Sequence, residues 1–167
     1  MYTNNKVGNV IYKVIEYFGD DVRRINHFLK VYGYVKMIGE CENLDDSMQE
    51  ILEVTAVLHD VGIKVAEQKY NSSAGHYQQL EEPPVAKKIL DELGYPDDFV
   101  ERVMYLIAHH HTYTNIDGMD YQILVEADFL VNMYEDGLPS QNVKAAYEAV
   151  FKTESGKRIC RTMFGIK

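Results

Sequence analysis

The stretch Thr55-Ala56-Val57-Leu58-His59-Asp60-Val61-Gly62-Ile63-Lys64 decides how the chain reads. An imidazole and a carboxylate stand side by side in a run that is otherwise almost wholly apolar. The apolar neighbours mark the run for burial, and a buried carboxylate without a partner is costly. Upstream, Ser47-Met48-Gln49-Glu50 has capping-box form and opens a helix. Its apolar content rises until nearly every side of residues 51–61 is apolar, which places it in the middle of the fold. Adjacent helical residues diverge by about 100°. His59 and Asp60 therefore reach one metal only near a helix end, and Gly62 marks such an end.

Outward from this helix, helix follows helix. One spans Val7 to Tyr17. A second is capped by Asp20-Asp21, carries Val22, Ile25, Phe28, Leu29, Tyr32 and Val35 at helical spacing, and stops at Gly39. Lys69 to Glu82 reads as a long polar loop. Pro83-Pro84 suit a first helical turn and start a helix that ends at Leu93-Gly94. Asp98 to Glu101 fits a capping box for a helix reaching His110, another helix runs from Asp120 to Tyr134, and Ser140 caps one over Gln141 to Lys152. The tail is expected to be a short helical or irregular cap. No period-2 run carries hairpin punctuation. The expected fold class is all-α, with about six to eight helices around a buried site.

At 167 residues the chain suits one domain over 1–167, large enough to bury a core without disulfides. Its 17 basic and 26 acidic residues leave a net charge of -9, which argues against a surface that tracks nucleic-acid phosphates. A small phosphorylated substrate is still allowed, because a local metal overrules net charge. Cys41 and Cys160 lack CxxC spacing and read as reduced thiols. No signal-peptide core or membrane-length apolar run is present, so a cytoplasmic location and no membrane partner are expected. A homo-oligomer is compatible with the sequence.

Seven further polar residues need an explanation. His27 lies on the apolar second helix, where a lone histidine is more often a core or surface residue than a ligand. Asp128 sits among Leu124, Ala127, Leu130 and Val131 and needs a cation, either an arginine or a metal. Glu126, two positions away, points elsewhere and reads as solvated. His109-His110-His111 closes an apolar helix, where the helix dipole favours one cationic imidazole but leaves the others to explain. His76 falls in the polar loop. One site collecting His27, His59, Asp60 and Asp128 would satisfy every awkward carboxylate at once. Its mixed N/O donors suit Mn, Fe, Ni, Co or Zn, and the lack of nearby cysteine pairs argues against a closed structural zinc site.

The order His27, then Leu58-His59-Asp60 with Gly62, then Ile107 to His111, then Glu126-Ala127-Asp128 resembles the HD-domain superfamily of metal-dependent phosphohydrolases. The likeness covers about residues 23–134, with a C-terminal helix and tail over 140–167. The wording from Tyr70 to Gly137 is similar to one bacterial subgroup of small single-domain members. The resemblance implies a metal held by His27, His59, Asp60 and Asp128, with no other cofactor. It implies hydrolysis of a phosphoester or phosphoanhydride by metal-activated water.

Two-metal members carry further histidines between the HD pair and the late Asp. Here Glu82 stands at one such position and His110 at the other, with His111 beside it, so one or two ions are expected. Asp60 then bridges two metals or orients the water, and His110 or His111 places the second ion or protonates the leaving oxygen. Many members read HDxGK, whereas here Lys64 falls one residue later. Lys64 and Arg24 would clamp phosphate oxygens, although Arg24 also suits a surface ion pair. Tyrosines in the 70–77 and 112–121 loops tilt the substrate toward a nucleotide. Two rival readings are a metal-containing nucleotide-binding or signalling module with little catalysis, and a di-iron oxygenase of the same fold.

Overall fold

The computed structural model describes residues 5–167, which form nine α-helices and no strand. In order they are α1 (Lys6–Phe18), α2 (Val22–Cys41), α3 (Asp46–Leu58), α4 (Ile63–Tyr70), α5 (Gly75–Glu92), α6 (Asp97–His109), α7 (Met119–Glu135), α8 (Ser140–Val150) and α9 (Glu154–Phe164). The all-α expectation holds. The helix count exceeds it because the chain after the Gly62 turn forms a separate helix, α4, and the tail forms a full helix, α9.

The apolar run of α3 makes it the hub. Its seven C-terminal residues, Leu52 to Leu58, are all buried, and it packs against α1, α2, α6 and α7. It divides the core into two parts. Leu52 and Ala56 pack with Val31 and Val35 of α2 and with Leu124 and Leu130 of α7. Val54, Val57 and Leu58 pack with Val10 of α1, Leu90 of α5 and Val103 of α6. A helix buried on every side can hold a polar residue only where another helix supplies its partner.

Local chemistry sets the helix ends. Asp21 caps α2, its carboxylate accepting from Arg24 N at 3.1 Å. For α3 the cap is Asp45, accepting from Met48 N at 2.9 Å, and not Ser47, which lies inside the helix. The α5 helix begins at Gly75, eight residues before the prolines expected to start it. Pro83 and Pro84 lie in its interior, and Glu82 is therefore a mid-helix residue and not a helix-opening one.

Glu126 departs furthest from expectation. It is fully buried, and its carboxylate accepts from Gln122 Nε2 at 2.8 Å, Lys152 N at 2.6 Å, Thr153 N at 2.9 Å and Thr153 Oγ1 at 2.5 Å. Thr153 caps α9 in turn, accepting from Gly156 N at 2.9 Å. Glu126 thus pins the last helix onto α7.

Candidate metal centre

α3 ends at Leu58, and the chain turns through His59 to Gly62 before α4 begins. That turn lets two adjacent side chains face one point. His59 Nδ1 lies 2.7 Å from Ala56 O and donates to it, so Nε2 is the ring atom that faces inward. His27, on α2, has Nδ1 2.9 Å from Glu135 Oε2 of α7. Glu135 is steadied by Lys30, whose Nζ lies 2.5 Å from Oε1. Carboxylate support of this kind fixes the tautomer that leaves Nε2 as the ligand atom.

Four donor atoms converge where these elements meet. His27 Nε2 lies 3.2 Å from His59 Nε2, 3.3 Å from Asp60 Oδ2 and 3.3 Å from Asp128 Oδ1. His59 Nε2 lies 3.4 Å from Asp60 Oδ2 and from Asp128 Oδ1. Atoms bound at about 2.1 Å to one ion stand roughly 3.0–3.4 Å apart. Asp128 Oδ1 has no hydrogen-bond partner despite its burial, and such orphans are rare without a ligand to explain them. The residues fit a divalent cation.

The electrostatics agree. Burial alone would lower the His59 pKa, but the Asp60 and Asp128 carboxylates push it up to about 10. Burial opposes the same effect at His27, and Asp128 again overcomes it. Burial would raise Asp128, but His27 and His59 hold it well below the usual carboxylate range. The two imidazoles are the nearest positive charges to these carboxylates within the chain, although Asp128 Oδ1 makes no hydrogen bond to either.

A second set adjoins the first. Ligand-type atoms of Asp60, Glu82, His110 and His111 lie within 4.8 Å of one another. Asp60 serves both sets: Oδ2 faces His27 and His59, while Oδ1 lies 3.8 Å from His110 Nε2. His110 Nδ1 donates to Ile107 O at 2.6 Å, leaving Nε2 buried without a partner. Both Glu82 oxygens are likewise buried and unpartnered. Burial pushes the Glu82 pKa up to about 10, with Asp60 adding to the shift. Burial lowers His110 to about 4, with His111 adding to it. His110 is therefore a neutral lone-pair donor at pH 7. Glu82 reaches this point because Gly62 leaves room: a Cβ on Gly62 would stand 2.5 Å from Glu82 N.

A cavity of about 460 Å³ opens beside the first set and is reached by His27, Asp60, His111 and Asp128. Arg24 lines it, but its guanidinium is tied to Asp21 Oδ2 at 2.8 Å and Glu67 Oε1 at 2.6 Å. Lys64 is not among the lining residues. Its Nζ donates to Tyr17 O at 3.2 Å and lies 5.3 Å from the Tyr17 ring centroid. The expected phosphate clamp is thus placed elsewhere for Lys64 and occupied for Arg24. His109 stacks on Tyr105 and His76 lies tilted against Tyr77, and neither joins the two sets. Glu135 was not singled out in the sequence. The available signal was its place seven residues, two helical turns, after Asp128.

Two adjoining sets of imidazole and carboxylate atoms inside a helical shell define an all-α protein with clusters able to hold divalent cations. The chain belongs to the HD-domain family, whose model matches residues 24–149. No curated protein matches it. Its fold is similar to the crystal structure of a "predicted HD superfamily hydrolase" from an uncultured Thermotogales bacterium, with a TM-score of 0.66 and 22% identity over 93% of this chain and 83% of that one. No described helix is long and apolar enough to cross a membrane, and Cys41 and Cys160 are both free.

Proposed function

We propose that the protein is a metal-dependent phosphohydrolase acting on a small phosphorylated substrate. The observation that carries this reading is the convergence of His27, His59, Asp60 and Asp128, with Asp128 Oδ1 buried and unpartnered. These four would hold the first ion, and Asp60, Glu82, His110 and His111 a second. A bound divalent ion supplies a water of lowered pKa and a Lewis acid for the phosphoryl oxygen.

The protein's own residues do the rest. Glu135 and Ala56 O keep His27 and His59 in the tautomers that point Nε2 inward. Asp60, facing both sets, aligns them. Burial lowers the His111 pKa, and its Nε2 lies 3.4 Å from Gln78 Oε1 at the cavity wall. Where His111 does not hold the second ion, it can pass a proton to the leaving oxygen. Arg24 lines the cavity with its guanidinium paired to Asp21 and Glu67. A nucleotide, the expectation from the sequence, would place its phosphate and sugar in the cavity of about 460 Å³.

The test loads purified protein with Mn, Fe, Co or Ni and follows phosphate release from nucleotides and sugar phosphates. Metal-dependent turnover supports the reading. Tight binding of a nucleotide recovered intact would favour a signalling module instead, and two irons with an oxidised product would favour an oxygenase.

A further inference from the structure

We infer that the cavity reads a hydroxylated carbon chain, so that the substrate class is a sugar or polyol phosphate and a base, where present, stays outside. This rests on the hydrolase reading above and names the substrate of the same site. Among the described residues, only one aliphatic side chain, Ile63, lines the cavity, and no phenylalanine or tyrosine does. The tyrosines expected to stack on a base are engaged elsewhere. Tyr70 stacks on Tyr77 at 4.2 Å and donates to Glu81. Tyr121 donates to the carbonyls of His109 and Thr112, and Tyr113 packs edge-on against Phe129. A planar apolar ring would find no phenylalanine or tyrosine face among the described residues, whereas ligand pockets for such groups are walled by hydrophobic and aromatic side chains.

What the cavity does offer is free hydrogen-bonding capacity. Arg23, Ser73, Asn132 and Asp136 all line it, and none has a side-chain partner among the described residues. Asp128, Asn132 and Asp136 follow one another at intervals of four along α7 and its C-cap, so they share a face at steps of roughly 6 Å. That row starts at the candidate metal centre and runs outward. A phosphate at the centre would lay its attached chain along an amide and a carboxylate, both suited to hydroxyl groups. The free guanidinium of Arg23 supplies a positive charge for the phosphate. Hydrolysis breaks the P–O bond to the sugar carbon's oxygen and puts the water oxygen on phosphorus. The water's proton ends on the released sugar hydroxyl.

The test compares Mn-loaded protein on ribose 5-phosphate, adenosine monophosphate and phenyl phosphate, with calorimetric binding of ribose 5-phosphate and inorganic phosphate in parallel. The expected result is a kcat/KM for ribose 5-phosphate within about threefold of the nucleotide and at least about tenfold above phenyl phosphate, a margin of one or two good hydrogen bonds. Asn132→Ala and, separately, the exposed Asp136→Ala should cut that margin to below about threefold through KM. Preference for the nucleotide over ribose 5-phosphate by more than about tenfold, or for phenyl phosphate over both, overturns the inference and leaves the hydrolase reading intact. If no ester is turned over, the hydrolase reading fails alone provided ribose 5-phosphate still binds at least about tenfold tighter than phosphate. Equal binding of the two overturns the substrate class.

Discussion

Replacing Gly62 by alanine puts a methyl group where the Glu82 backbone already stands. A Cβ there meets Glu82 Cγ at 2.4 Å, Glu82 N at 2.5 Å and Glu82 Cα at 2.8 Å. Carbon atoms in favourable contact lie about 3.5–4.0 Å apart, so one side must move by about 1 Å. Gly62 has φ −76°, which alanine adopts without strain. At such a site the change would by itself stabilise by about 0.4–1 kcal/mol through the unfolded chain, so the contact decides the sign. Glu82 retreats poorly, because it is fully buried and followed by Pro83 and Pro84 inside α5. Overpacking against a buried backbone costs about 1–3 kcal/mol, leaving a net loss of roughly 1–2 kcal/mol. In a chain of this length that lowers Tm by about 3–6 °C. The same shift moves the Glu82 carboxylate away from Asp60 and His110, so affinity at the second set should fall by at least about tenfold. Calorimetric unfolding without added metal reads the first effect, and Mn²⁺ titration reads the second. A Gly62→Ala protein as stable as wild type, with unchanged titration, would refute the close approach of α5 to the turn after Asp60.

Glu135→Gln removes the carboxylate behind His27 while leaving Asp128 and His59 in place, so metal affinity should drop about 10–100-fold, with helix content by circular dichroism unchanged. Metal dependence should also rise with pH. Stability from His59, whose pKa rises from 6.5 to about 10 on folding, is full below 6.5 and lost as pH climbs toward 10. Glu82, raised from 4.5 to about 10, keeps its proton in the folded state while the unfolded chain ionises, so its burial destabilises the fold increasingly as pH rises between those values. Metal displaces both protons, and the Tm gap between Mn-loaded and chelator-treated protein should widen from pH 5 to pH 9; parallel curves would contradict this. Glu126→Ala strands the amides of Lys152 and Thr153, and unpaired buried donors cost about 1–3 kcal/mol each. Urea unfolding should show a loss of roughly 3 kcal/mol, and hydrogen exchange should quicken first in α9.

Some of this was legible in the sequence and some was not, for physical reasons. His27, His59, Asp60 and Asp128 stood out because each is polar in a helix whose other faces must be buried, and burial demands a partner. Glu126 was misjudged by the same geometry. It does point away from Asp128, but toward the N-terminus of α9, and its partner Thr153 lies 27 residues on. Nothing local distinguishes a solvated glutamate from one buried against a distant helix. The start of α5 was missed because two prolines usually mark a first turn, whereas here the helix continues through them. Lys64 follows Asp60 closely in sequence, yet the turn at Gly62 directs it to Tyr17. Glu135 could be read only after His27 and α7 were known to meet.

Mn²⁺ binding by equilibrium dialysis and elemental analysis, run on wild type, Asp128→Ala and His27→Ala with circular dichroism alongside, bears most directly on whether four side chains from three parts of the chain hold one ion. Wild type should retain at least one tightly bound ion, and both variants should lose it while keeping their helix content. Wild type without bound ion, or an Asp128→Ala protein that binds Mn²⁺ as tightly as wild type, would contradict the assignment.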